Sequence, residues 1–135
     1  MSGVDVSYTL STTTTHPFEE AVARVRDAHT EQGFGVLCEI DVQATLRNKL
    51  GVEREPYLIL GACNPQLAHG ALTAEPDLGT LLPCNVVVYA QGGETHIAAV
   101  NAEKMLSIVE NPDLTDTASE VRRRLESVVE AAAAA

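Results

Sequence analysis

The sequence predicts a single α+β domain in which a mainly antiparallel sheet carries helices on one face. Three observations carry that prediction. The segments follow the order β-α-β-β-(short α)-β-β-α, which lacks the strict alternation of a doubly wound parallel sheet. A glycine pair, Gly92-Gly93, separates two strand-like segments as a hairpin turn would. Two amphipathic helices, one near each end, present apolar stripes that a sheet must cover.

Val4, Val6, Tyr8 and Leu10 alternate weakly and read as a first strand. The polar tract Ser11 to Thr15 either extends that strand or forms the turn after it. Pro17 suits a first helical position, and Glu19 and Glu20 sit where the helix dipole favours anions. Phe18, Ala21, Val22, Val25 and Ala28 make one helical stripe, and Gly33 is the natural left-handed stop. From Phe34 to Val42, Val36, Cys38, Ile40 and Val42 face one way and Leu37, Glu39 and Asp41 the other, the pattern of a half-buried strand.

Gln43 to Leu50 reads as a short helix or turn ending at Gly51, and Glu53 to Pro56 as a charged loop. Tyr57 to Cys63 is nearly all apolar, hence a well-buried strand. Asn64 is a good N-cap and Pro65 a good first-turn residue for a helix carrying Leu67, Ala68, Ala71 and Leu72. Glu75 to Gly79 reads as a loop. Cys84 to Ala90 and Thr95 to Val100 are the hairpin strands. Asn101 to Leu106 makes a short helical turn. After Asn111-Pro112 a final helix runs to the end through Leu114, Ala118, Val121, Leu125 and Val128. No repeat, second domain or long linker is visible across positions 1–135.

Hydrophobic residues are 45% and charged residues 21%, which excludes a disordered or fibrous chain. Nine basic against 19 acidic residues leave a net charge of −10. Such a surface repels phosphate backbones and anionic lipid, so neither nucleic acid nor membrane is an expected partner. No apolar run approaches the roughly 20 residues that cross a bilayer, and Met1 to Ser11 lacks the pattern of a signal peptide. The expectation is a soluble cytoplasmic protein. Of the basic residues only Lys49 and Lys104 are lysine. That acid excess fits a source rich in salt, and equally an ordinary acidic cytosolic protein.

The segments Gly33 to Val42 (GFGVLCEIDV), Ala44-Thr45-Leu46, Ile59 to Pro65 (ILGACNP) and Leu81 to Cys84 (LLPC) resemble the bacterial and archaeal family called domain of unknown function 302. The resemblance covers about positions 6 to 130, and ILGACNP and LLPC are its most specific parts. It implies an α+β fold like half of a TATA-binding protein, often dimeric. It implies no activity, because fold does not transfer function. A homodimer is therefore expected, with the hairpin offering an edge through which copies pair.

Three cysteines, Cys38, Cys63 and Cys84, are an odd number without CxxC spacing, unlike a disulfide framework or zinc ribbon. Cys63 ends one strand and Cys84, 21 residues on, begins another. In neighbouring antiparallel strands both thiols reach one end of the sheet, where a bridge would stabilise by about 3 kcal/mol in a chain-entropy model. Cys63 also precedes a helix N-terminus, which favours a thiolate. With Asn64 and His69 nearby, this end is the candidate ligand or redox site. Cys63, Cys84 and His69 are also a weak soft-ligand set for zinc or copper. The competing reading is two small buried hydrophobes and a solvent-exposed histidine.

Of the other histidines, His16 decorates the first helix start, His29 lies beside its apolar stripe, and His96 faces solvent in an edge-like hairpin. Glu39 and Asp41 share a strand face; they mark its solvated side, with Asp41 also placed to cap the next helix, or supply an acid and base. Arg122-Arg123-Arg124, flanked by Glu120 and Glu126, is a salt-bridged solvent face. No phosphate loop, nucleophile elbow or HExxH string occurs, so no cofactor or catalytic residue is identified. Three readings of function follow. The first is a small ligand-binding or thiol-redox-responsive module built on Cys63 and Cys84. The second is a structural or oligomerisation domain without chemistry. The third, more distant, is an enzyme using Glu39 and Asp41.

Overall fold

A computed structural model describes residues 8–135. One antiparallel five-stranded sheet, in the order β1-β5-β4-β3-β2, is built from β1 (Thr9–Thr14), β2 (Gly35–Asp41), β3 (Tyr57–Cys63), β4 (Cys84–Gln91) and β5 (Glu94–Val100). One face is covered by α1 (Phe18–Glu31) and α5 (Thr115–Ala133), which also pack on each other. Three shorter helices, α2 (Val42–Leu50), α3 (Pro65–Ala74) and α4 (Ala102–Ser107), lie between strands or follow them. The α+β class and the covering of one sheet face by the first and last helices stand as expected.

Sequence patterning explains this layering. On α1, Ala21, Val22, Val25 and Ala28 are buried, as are Val121, Leu125, Val128 and Val129 on α5. They meet Leu10, Leu60, Val86, Val88, Ile97 and Ala99, the inward side of the strands. Gly33 has φ +81°, the left-handed conformation that glycine adopts cheaply after a helix. Arg24 holds the other end of this layer. Its Nε donates to the Ala132 carbonyl at 2.9 Å and its Nη2 to the Ala134 carbonyl at 2.7 Å, capping α5. His16 bonds Glu20 through Nδ1 at 2.6 Å and the Ala134 carbonyl through Nε2 at 2.6 Å.

Several expectations are corrected. The threonine tract needs no correction, since it takes the first of its two readings and extends the strand, β1 running Thr9–Thr14 with Leu10 and Thr12 buried; Val4 and Val6 lie outside the described residues. β2 is not half-buried. It is an edge strand, exposed along most of its length, and a bulge between Val36 and Cys38 breaks its alternation. Cys38 and Ile40 consequently face away from the helices, Glu39 faces α1 and pairs with Arg26, and Val42 opens α2. Asp41 does cap that helix, accepting from the Ala44 N–H at 2.9 Å.

The hairpin turns at Gly92-Gly93, with φ +59° and +85°, as its glycines require. Its strands are interior to the sheet, so the edge strands among the described residues are β1 and β2 and not the hairpin. His96 stacks on Tyr89 and is partly buried, on the sheet face away from the helices. His29 is part of the buried stripe, 1% exposed, rather than beside it. Pro76–Leu81 is a 3-10 turn where a loop was expected. The arginine run is ion-paired: Glu120 takes Arg123 and Arg124, both at 2.7 Å, and Arg122 reaches Glu103 at 3.3 Å.

Candidate ligand cavity

The ILGACNP and LLPC segments meet at one end of the sheet. β3 delivers Ala62 and Cys63, and Asn64 then turns the chain into α3. Its Oδ1 accepts from the Leu67 N–H at 3.1 Å, and Pro65 occupies the first turn, where no N–H is needed. The 3-10 turn Pro76–Leu81 and a cis Leu82-Pro83 peptide bring the chain back to Cys84 at the start of β4. A small cluster of Ala71, Leu78, Leu106, Leu114 and Ala118 fixes α3 and this turn against α4 and α5.

Between these pieces lies a cavity of about 280 Å³. Its wall is apolar: Leu67, Ala71, Leu78 and Leu82 from the α3 side, Phe34 and Leu37 from the β2 side, and Leu106 and Val121 behind. Cys63, Cys84 and Asn64 contribute the sulfur and amide groups. Two glycines make the approach possible. A Cβ on Gly33 would stand 3.0 Å from Asn64 Nδ2 and 3.2 Å from Arg124 Nη1. A Cβ on Gly61 would stand 2.6 Å from Cys38 Sγ and 2.8 Å from Pro83 Cγ.

The three thiols are free and differ in setting: Cys38 is exposed, Cys63 half-buried and Cys84 buried. Burial, and secondarily Cys63, pushes the Cys84 thiol up to about 11. At neutral pH it is therefore a neutral, weakly polar wall group and not a nucleophile. Cys63 and Cys84 thus line one cavity without being bridged.

The remaining candidates separate. Leu67, Ala68, Ala71 and Leu72 form the α3 stripe toward the cavity, and His69 falls off that stripe on the exposed side. The set Cys63, Cys84 and His69 therefore does not assemble. Among the described residues no group of three His, Cys, Asp or Glu side chains is placed to hold a metal ion. Glu39 is committed to Arg26 and Asp41 to its helix cap, so neither enters the cavity. Phe34, Leu78, Leu106 and Val121 went unrecognised as site residues. Their spacing reads as ordinary core, and no local signal brings four separate segments together.

The fold and this end cavity define a two-layer α+β domain of the kind the specific motifs implied. The chain belongs to the family Domain of unknown function DUF302, whose model matches residues 10–132. Among solved structures it is similar to the crystal structure of an uncharacterized conserved protein DUF302 from Bacillus stearothermophilus, with a TM-score of 0.88 at 27% identity, covering 94% of this chain and 99% of that one. No curated protein gives a significant match. Among the described residues no helix is long and apolar enough to cross a membrane.

Proposed function

We propose that this chain is a binding module for a small apolar molecule, held in the cavity between α3, the 3-10 turn and the end of β3 and β4. The observation that carries this reading is the cavity itself. Its volume of about 280 Å³ is lined mainly by apolar side chains, with Asn64, Thr117 and the two thiols as polar groups. Such sites take their affinity from apolar burial and their orientation from a few polar atoms. The buried, neutral Cys84 supports ligand binding over thiol exchange, which needs an accessible thiolate.

Toluene tests the reading. Titrated into the protein, it should give saturable intermolecular NOEs to the Leu67 and Leu78 methyls. Leu72→Trp, placed at a half-exposed wall position, should abolish them while the fold persists. Saturable binding elsewhere, or none, overturns it.

A second reading, self-association as a homodimer, has its own observation. Leu37 (70% exposed), Ile40 (48%), Leu50 (69%) and Val52 (46%) lie on β2, on α2 and just after it, and β2 is an edge strand of the sheet. An edge strand flanked by exposed apolar side chains pairs readily with another strand, and two copies of β2 can pair antiparallel. Light scattering should then give twice the chain mass, and Ile40→Lys should return the monomer. A wild-type monomer at high concentration removes this reading.

A further inference from the structure

The sheet face opposite the helices carries an aromatic ladder that the end cavity does not explain. Tyr57, Tyr89 and His96 are direct cross-strand partners on β3, β4 and β5. Their rings are stacked, Tyr57 on Tyr89 with centroids 5.1 Å apart and planes 11° apart, and Tyr89 on His96 at 4.7 Å and 1°. These spacings match the roughly 4.8 Å between neighbouring strands. The rings therefore stand as rungs, and the stack runs across the strands.

The two ends of the ladder differ. Beyond Tyr57, the Arg54 guanidinium lies over the ring at 5.3 Å. Beyond His96, the next strand places Thr13, its register partner on β1. Thr13 is exposed and too short to cover an imidazole face. Among the described residues no ring or guanidinium covers the outer face of His96.

The ladder borders a trough of about 670 Å³ whose floor is Val87 and Ala98 and whose far end is Asn85, Thr9 and the exposed Tyr8. That volume lies in the usual range for small-molecule sites. Among the described residues no Asp, Glu, Lys or Arg lines the trough. A charged ligand would lose water there without gaining a counter-charge. A flat, neutral ring gains a stacking face and finds hydroxyl and amide groups at its edge.

We propose that this face is a second ligand site, taking an uncharged planar aromatic molecule that stacks on His96 above Thr13 as the fourth rung of the ladder. Indole is the probe, being planar and neutral. NMR of the full chain should show the His96 ring protons moving upfield, saturably, as indole is added. Thr13→Phe puts a ring of the protein's own in that position and should weaken binding roughly tenfold, the worth of one stacking contact. His96→Ala, read on the ring protons of the adjoining Tyr89, should remove the same binding and covers the case in which Thr13→Phe fails to fold. Leu72→Trp, in the end cavity, should leave the His96 shifts unchanged, which separates the two sites. His96 signals that stay still up to the solubility of indole, or that move equally in Thr13→Phe, overturn the proposal. So do His96 signals that shift with protein concentration alone, which would make this face an interface between copies.

Discussion

Cys38 Sγ fills the space that a side chain at Gly61 would need: a Cβ there would lie 2.6 Å from the sulfur. The two residues are register partners across β2 and β3. On the other side Pro83 Cγ stands 2.8 Å from the same point. Gly61 is thus a steric requirement where the edge strand, β3 and the LLPC turn converge. Gly61→Ala should destabilise by about 1–3 kcal/mol, the usual penalty of overpacking, read as a lower urea midpoint. Adding Cys38→Ala should recover only part of the loss, because the proline ring cannot swing away. Full recovery would place the strain on the thiol alone.

The three thiols should react in the order Cys38, then Cys63, then Cys84. Exposure sets the first two positions, and burial with a thiol raised to about 11 sets the last. N-ethylmaleimide labelling at neutral pH, mapped by peptide mass, reads this order directly. Cys84 should stay unlabelled until the chain unfolds. Labelling of Cys84 as fast as Cys38 would contradict the buried cavity wall.

His29 gives the fold a pH dependence. It is 1% exposed, its two ring nitrogens have no hydrogen-bond partner, and the ring lies edge-on to Phe34 with centroids 5.7 Å apart. Desolvation, and then the Arg26 charge, hold it at about 4 against an ordinary 6.5. Between those two values the unfolded chain binds the extra proton, so stability is full above 6.5 and falls as pH drops toward 4. The loss is on the order of 3 kcal/mol. Urea unfolding across that window should show the slope, and His29→Leu should flatten it. An unchanged slope in the variant would assign the effect to other groups.

Arg24 closes the α5 C-terminus onto α1 through the Ala132 and Ala134 carbonyls. Arg24→Ala should cost about 1–2 kcal/mol, as expected for charge-assisted bonds to helix-end carbonyls. Amide exchange should quicken in the last turn of α5 and leave the central strands unaffected. Uniform quickening across the sheet would mean a wider packing role.

Much of this architecture is legible in the chain because its signals are local. Gly33, Asn64-Pro65 and Gly92-Gly93 each mark a turn or cap by a conformational demand that few other residues meet. The β2 exposure was not legible, since one extra residue, Leu37, in a bulge shifts the alternation, and alternation cannot show which strand is an edge. The thiol junction was readable from ILGACNP and LLPC. The side chains that complete its wall, Phe34, Leu78, Leu106 and Val121, sit in four segments that only the tertiary fold assembles. The ladder of Tyr57, Tyr89 and His96 depends likewise on cross-strand register.

Crystals of the protein exposed to pressurised xenon would show directly whether the end of the sheet holds an apolar chamber. Xenon enters dry apolar space and avoids wet polar space. Anomalous density is expected between Leu67, Leu78 and Cys84, and it should vanish in Leu72→Trp. Ordered water there instead of xenon, or side chains collapsed onto one another, would contradict a binding module at this position.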